Sequence, residues 1–184
     1  MNTWEVDVSE VLASQEVNNI AIALGVEPGS NNLEGLRYGK VCILADADSD
    51  GLHIATLLCA LFLKHFRPLV EDGRVYVSMP PLYRVDQGKD VHYALDDVEK
   101  DKLVDQLQKK NKRTKIEVQR FKGLGEMNAS QLRETTMLPG ARRLVQLTIQ
   151  NGDKSSQMVD MLLSKKRSQD RKEWLEDKGN LANV

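Results

Sequence analysis

The stretch Val41–Leu58, VCILADADSDGLHIATLL, runs five apolar or small residues straight into three carboxylates spaced two apart. Asp46, Asp48 and Asp50 are closed by Gly51, and a second apolar segment follows at once. Three acids in five residues repel one another unless something positive sits among them. The continuous apolar, β-branched character of Val41–Ala45 predicts a buried strand. From Leu52 to about Leu69 the spacing turns helical and apolar nearly all round, which predicts a well-buried helix. The acids therefore fall where a strand hands over to a helix, the sheet edge at which α/β proteins build sites.

Four readings of this turn compete. The plainest is a solvated turn with a helix N-cap, since acids favour a helix N-terminus. A calcium loop is excluded: D-x-D-x-D-G opens that pattern, but the twelfth position from Asp46 is Leu57 rather than a bidentate Glu, and a strand precedes it instead of a helix. A phosphotransferase with a nucleophilic Asp at a strand end is a poor fit, because the fifth position is Asp50 and no later Gly-Asp-x-x-x-Asp appears. The fourth is a Mg²⁺ site for phosphodiester chemistry. Hard oxygen ligands two residues apart in an extended segment share one side, and a divalent ion there would neutralise them and polarise a phosphate oxygen.

Outward from the turn, Ser9 is expected to cap a helix through EVLASQEVNNIAIAL that stops at Gly25. Val26–Gly35 reads as loop. Asp72-Gly73 is a turn, Val75–Ser78 a strand, Pro80-Pro81 a break, and the next strand turns through DQGK into VHYAL as a hairpin. Asp96 or Asp97 can cap a polar helix ending in the basic run Lys109–Lys115. IEVQRF is a short strand, KGLGEMN a glycine-containing loop, and Asn128 or Ser130 begins a further helix. RRLVQLTI alternates as a strand, and a charged helical tail runs from about Ser155.

The 184 residues, 41% hydrophobic and 29% charged, can form one or two domains. A net charge of −1 announces no nucleic-acid partner globally, so any such binding must come from local clusters. Cys42 and Cys59 match no ligand or redox spacing and read as buried free thiols, which suits a reducing cytoplasm. No signal peptide is evident, and the apolar run Leu52–Leu63 is too short to span a bilayer. The opening MNTWEV is abrupt enough to suggest an initiator Met on an excised fragment.

LADADSDGLHI together with QRFKGLGEMN, Gln119–Asn128, resembles the metal site and following loop of the bacterial type IIA topoisomerases; GRVYVSMPPLYRV and LRETTMLPGARRLVQLTI are further matches. LASQEV and KKRSQDRKEWLEDKG resemble the topoisomerase IV branch rather than the gyrase branch. The resemblance implies an α/β TOPRIM fold, Rossmann-like with a mainly parallel sheet flanked by helices, N-terminally truncated and occupying residues 1–80, followed by a mixed α+β region over 81–184. It implies Mg²⁺ at Asp46 and Asp48 with Asp50 closer to a supporting role, and a Glu from an upstream motif absent here. It places the attacking tyrosine on an A subunit, ATP on a missing N-terminal domain, and the whole in an A2B2 heterotetramer acting on double-stranded DNA in the bacterial cytoplasm, at the nucleoid. A fragment of this kind is not expected to act alone. Alternatives are a fragment of the gyrase B subunit or a non-catalytic TOPRIM docking module.

Tyr38, Tyr76, Tyr83 and Tyr93 sit in apolar or strand contexts and read as packing, as do Trp4 and Trp174. His53 opens the helix after the acids, as a cap or a phosphate donor. Gly123 and Gly125 permit positive φ and, beside Arg120 and Lys122, would let backbone approach a phosphate chain; Glu126 reads as structural. By the resemblance, Asn2, His53 and Arg171 contact DNA, and an Arg near duplex binds phosphate.

Overall fold

The computed structural model describes residues 1–111, 114–149 and 154–181. In chain order its elements are α1 (Val8–Ala13), α2 (Gln15–Leu24), β1 (Val41–Ile43), α3 (Ser49–His65), α4 (Arg67–Glu71), β2 (Val75–Ser78), β3 (Tyr83–Gln87), β4 (Asp90–Ala94), α5 (Asp97–Lys110), β5 (Ile116–Arg120), α6 (Ala129–Leu132), β6 (Leu144–Gln146), α7 (Lys154–Leu163) and α8 (Ser168–Lys178). Single-turn helices fill Leu124–Glu126, Lys165–Arg167 and Gly179–Leu181, and a π-helical turn, Arg133–Met137, continues α6. The chain is α/β, as expected, with two three-stranded sheets ordered β1-β2-β6 and β4-β3-β5. It divides into two compact units, one of Met1–Val41, Thr56–Val75 and Gln146–Val184, the other of Cys42–Ala55 and Tyr76–Val145.

The β3–β4 hairpin forms as its turn residues predict. Tyr83 pairs with Ala94 and Gln87 with Asp90, while the other edge of β3 takes β5, Tyr83 against Arg120 and Gln87 against Ile116. Both ladders are antiparallel. So is the β2–β6 pair, because Met79 N–H donates to Arg143 and Leu147 N–H to Val75. These pairs are antiparallel where the resemblance implies a mainly parallel sheet; the tight turn accounts for β3–β4, while β5 and β6 reach their antiparallel partners only after long connections, the first of them through α5. Val85 and Phe121 are buried in this second unit. Asp96 caps α5 by accepting from Glu99 N–H, and Glu99 in turn binds Leu95 N–H and, bidentately, Arg143. Those partners, with Arg143 foremost, hold the Glu99 carboxyl below its ordinary pKa.

In the first unit the single helix expected from Ser9 to Gly25 is two. Asp7 is the cap of α1, accepting from Glu10 N–H at 3.0 Å, and Ser9 Oγ donates to it. Ser14 then takes an extended conformation and interrupts the run. Short hydroxyl side chains stabilise such local alternatives to helix, and here Ser14 Oγ donates to Glu16. The helix expected over Leu52–Leu69 begins earlier, at Ser49, and breaks at Phe66. Pro68 supplies no N–H and clashes with the preceding turn, so it can only start the short α4. Ala60, Leu61, Phe62, Phe66, Leu69 and Val70 are buried, but Leu52 and Ile54 are more than half exposed, so the first turns of α3 are not the buried surface that apolar content alone suggests.

Lys64 and His65 fasten the N-terminal segment: Lys64 Nζ donates to the carbonyls of Trp4 and Val6, and the buried His65 ring bonds the Thr3 carbonyl at 2.9 Å. Cys42 and Cys59 are free as expected, though half-buried rather than buried, and burial pushes the Cys59 thiol up. Lys112 and Arg113 of the basic run lie outside the described residues.

Gly25 ends α2 in the left-handed region at φ 75, and a Cβ there would lie 2.1 Å from the carbonyl oxygen of Gly35. Left-handed backbone costs an L-residue roughly 1–2 kcal/mol before any clash, and here the obstacle is backbone. Gly25→Ala is expected to lower stability by at least about 2 kcal/mol, read as a shift in urea midpoint at unchanged slope.

Candidate functional site

The acidic turn and the KGLGE loop are both parts of the second unit, and the structure brings them together. Asp46 follows β1, Asp48 is the residue before α3, and Asp50 lies in the first turn of that helix; all three are exposed. Strand β1 ends at Ile43 and Asp50 already lies in the helix, so the strand alternation that would place all three acids on one side does not extend over them. Asp48 Oδ1 accepts from Gly51 N–H at 2.7 Å, an N-cap bond. Asp46 has no helix to cap. Its Oδ1 accepts instead from Leu124 N–H at 2.8 Å, across 78 residues of sequence.

Two glycines make room for Asp46. A Cβ on Gly51 would lie 2.1 Å from the Asp46 carbonyl oxygen, and one on Gly123 would lie 2.8 Å from Asp46 Cγ and 2.9–3.0 Å from its two carboxylate oxygens. Gly123 has φ −167 and Gly125 no positive φ, so the left-handed freedom expected of this loop is not its purpose. Close approach is, and its object is a carboxylate of the same chain. Glu126 has the structural role expected: its Oε2 accepts from Lys122 N–H at 2.8 Å and so closes the loop on itself. Ala47, Pro80, Pro81, Phe121 and Met127 line the floor beneath Gly123 and Leu124.

The donors at Asp46 and Asp48 suit a hard divalent cation. Each has one carboxylate oxygen held by a backbone N–H, which fixes the group and leaves Oδ2, and exposure lets an ion such as Mg²⁺ keep several of its waters. The set is not closed, however. Among the described residues no three His, Cys, Asp or Glu side chains are grouped to hold a metal ion.

The residues expected at DNA are divided between the units. His53 is exposed in the second turn of α3. Lys122 is exposed beside the loop, and Arg120, at the end of β5, is exposed with its guanidinium 5.9 Å from the Tyr83 ring centre. These belong to the second unit; Asn2 and Arg171 belong to the first and carry internal bonds. Asn2 Nδ2 donates to the Leu163 carbonyl at 2.8 Å, and its oxygen accepts from Trp4 N–H. Arg171 Nη1 donates to the carbonyls of Met161 and Ser164 at 2.9 and 2.6 Å, at the C-terminal end of α7. A guanidinium at a helix C-terminus satisfies carbonyls that lack partners and opposes the negative end of the dipole.

The partner of Asp46 is not legible in sequence, because a backbone N–H leaves no side-chain signature. The trace it does leave is the pair of glycines flanking Leu124, which sequence alone reads as room for a phosphate. Tyr83 Oη donates to Asp97 at 2.8 Å, which with some burial raises its pKa, and burial raises that of Tyr93. Trp4 is a packing residue whose indole N–H reaches Asp160, while Trp174 on α8 is 36% exposed.

A family model describing the carboxyl terminus of the DNA gyrase B subunit matches residues 113–176. Over its whole length the chain is 67% identical to the B subunit of DNA topoisomerase 4 from Pseudomonas aeruginosa and 63% identical to that from Escherichia coli. The DNA gyrase B subunit of Halalkalibacterium halodurans is 41% identical across 96% of the chain. The chain spans 29% of the two topoisomerase IV relatives and 27% of the gyrase relative. In fold it is similar to the crystal structure of the DNA-binding, cleavage and re-ligation domain of Plasmodium falciparum topoisomerase II, with a TM-score of 0.71 at 24% identity, over 95% of this chain and 24% of that one. The resemblance to the topoisomerase IV B subunit is thereby borne out. Among the described residues no helix is long and apolar enough to cross a membrane.

Arg171→Ala is expected to loosen the α7–α8 segment by about 1.5–3 kcal/mol, the range for hydrogen bonds to charged groups, and Arg171→Lys to restore part of it. Thermal unfolding and amide exchange across α7 measure both; a purely external phosphate contact would leave each unchanged in the absence of DNA.

Proposed function

We propose that this chain, which over its whole length matches 29% of the B subunit of DNA topoisomerase 4, is the metal-bearing, DNA-gate part of such a protein. The TOPRIM assignment of its acidic turn belongs to this reading. The observation that carries it is the pinned pair Asp46 and Asp48, each with one oxygen fixed by backbone N–H and one left over, on an exposed strand-to-helix turn. Mg²⁺ bound there would polarise a phosphodiester and stabilise its leaving oxygen. The chain's own part is to hold two carboxylates in a fixed attitude and, through His53, Arg120 and Lys122, to steady the phosphates around them. Asp50, in the first helical turn, supports rather than ligates.

The attacking tyrosine comes from an A subunit. The further acid that completes the metal site, and the ATP site that drives strand passage, lie in parts of the full-length protein outside the matched region. The assembled enzyme is an A2B2 heterotetramer that cleaves and religates double-stranded DNA, relaxing and decatenating it for chromosome segregation at the nucleoid. A metal-free docking module is the second reading, favoured by the open ligand set among the described residues.

Asp48→Asn separates the two. Asn caps a helix as well as Asp, so the bond from Gly51 survives and only a metal-binding charge is lost. In the full-length protein assembled with its A subunit, Mg²⁺-dependent cleavage is expected to fall by at least about 100-fold, beyond the 10–100-fold typical of groups that merely orient a ligand, with DNA binding near normal by filter retention. Unimpaired cleavage would leave the docking reading standing.

A further inference from the structure

We propose that the Lys122–Asn128 loop is the positioning element of the metal site: Gly123 and Glu126 set the attitude of Asp46, so that its Oδ1 is held and its Oδ2 is left to the cation. The inference rests on the metal reading above and goes beyond it, because it assigns a role in cation binding to residues that are not ligands.

A lone carboxylate rotates broadly about its terminal torsion. Asp46 does not have that freedom here, because Oδ1 is tied to Leu124 N–H at 2.8 Å and the face of the carboxylate lies against Gly123. The loop that delivers this N–H is rigid for identifiable reasons. Phe121 and Met127, both buried, anchor its two ends, and Phe121 N–H donates to the Leu82 carbonyl. Between them Glu126 N–H donates to Gly123 and Met127 N–H to Leu124, while the Glu126 side chain returns to Lys122 N–H at 2.8 Å. Asn128 closes the far side in a capping box with Gln131. Groups that orient a metal ligand through its second atom are worth about 10–100-fold in affinity or activity.

Gly123 is a clean probe, since its φ of −167 is open to any residue and only the contact with Asp46 forbids a side chain. An added methyl would meet a movable carboxylate, so the group displaced is the ligand itself. Glu126 is the second probe. Gln keeps an acceptor for Lys122 N–H, and Ala does not.

Reciprocity supplies a readout independent of catalysis. If the seated loop favours cation binding by some factor, cation binding favours the seated loop by the same factor. The experiment uses the full-length protein, with Mn²⁺ binding followed by electron paramagnetic resonance and Leu124 amide exchange followed by mass spectrometry. Glu126→Ala and Gly123→Ala are each expected to weaken Mn²⁺ binding about ten-fold, Glu126→Gln to stay within about two-fold of the parent, and saturating Mn²⁺ to slow Leu124 exchange in the parent by a factor matching the lost affinity. In the assembled enzyme the Mg²⁺ concentration for half-maximal cleavage should rise in the two alanine variants while the rate at saturating Mg²⁺ recovers, a split that general destabilisation would not produce. Mn²⁺ bound with Leu124 exchange unchanged, or with parental affinity in both alanine variants, overturns the positioning role and leaves the metal reading intact. Absence of Mn²⁺ binding in the parent overturns the metal reading and this inference with it.

Discussion

A single hydrogen bond, from Leu124 N–H to Oδ1 of Asp46, joins two segments 78 residues apart and fixes how the acidic turn meets the glycine loop within the second unit. Much of the nearby sequence makes sense as a condition for it. Gly51 is required because a Cβ there would enter the Asp46 backbone, and Gly123 leaves room for the Asp46 carboxylate, which a Cβ there would displace. Phe121 and Met127 hold the loop at the depth from which Leu124 can reach. A buried apolar floor beneath an exposed polar contact is a sound division, since the floor resists displacement by packing while the contact itself stays open to solvent.

Signals that are local and steric are legible in the amino-acid order alone. The Asp72-Gly73 turn, the hairpin with its DQGK turn, the Asp96 cap and the Val75–Ser78 strand follow from turn and cap chemistry, and each is present. The departures share a different cause. Ser9 and Asp7 are both competent caps, and only the geometry decides between such neighbours, in favour of Asp7. The break at Ser14 and the exposed start of α3 depend on what packs where, which apolar content does not report. A mainly parallel sheet is implied by resemblance rather than by any local signal, and the hairpin and its returns run antiparallel.

The basic and amide residues illustrate how composition can mislead about charge. In sequence, Asn2 and Arg171 look like any polar groups free to meet a polyanion. In the structure Asn2 Nδ2 donates to the Leu163 carbonyl, and Arg171 Nη1 donates to those of Met161 and Ser164. An arginine that caps a helix still carries its charge, so it can contribute to a field around DNA, but its removal disturbs the helix as well. Arg120 and Lys122 differ in kind: both are exposed at a strand end and a loop edge, and neither closes a helix.

The same distinction applies to the aspartates, and it bears on how an acidic turn should be weighed. Asp7, Asp48 and Asp96 are alike in structure, each accepting from a backbone N–H three residues on and each starting a helix. The plain reading of Asp48 as a cap is therefore correct as far as it goes, and it would be sufficient if Asp48 stood alone. Asp46 is what it leaves unexplained. This residue starts no helix, takes its N–H from a remote loop, and has its carboxylate packed against Gly123, where a Cβ would displace it. A solvated turn has no need of such constraints, because an exposed carboxylate is satisfied by water at no structural cost. The cation proposed above would account for such a constraint, since an ion shared by two carboxylates depends on the attitude of each.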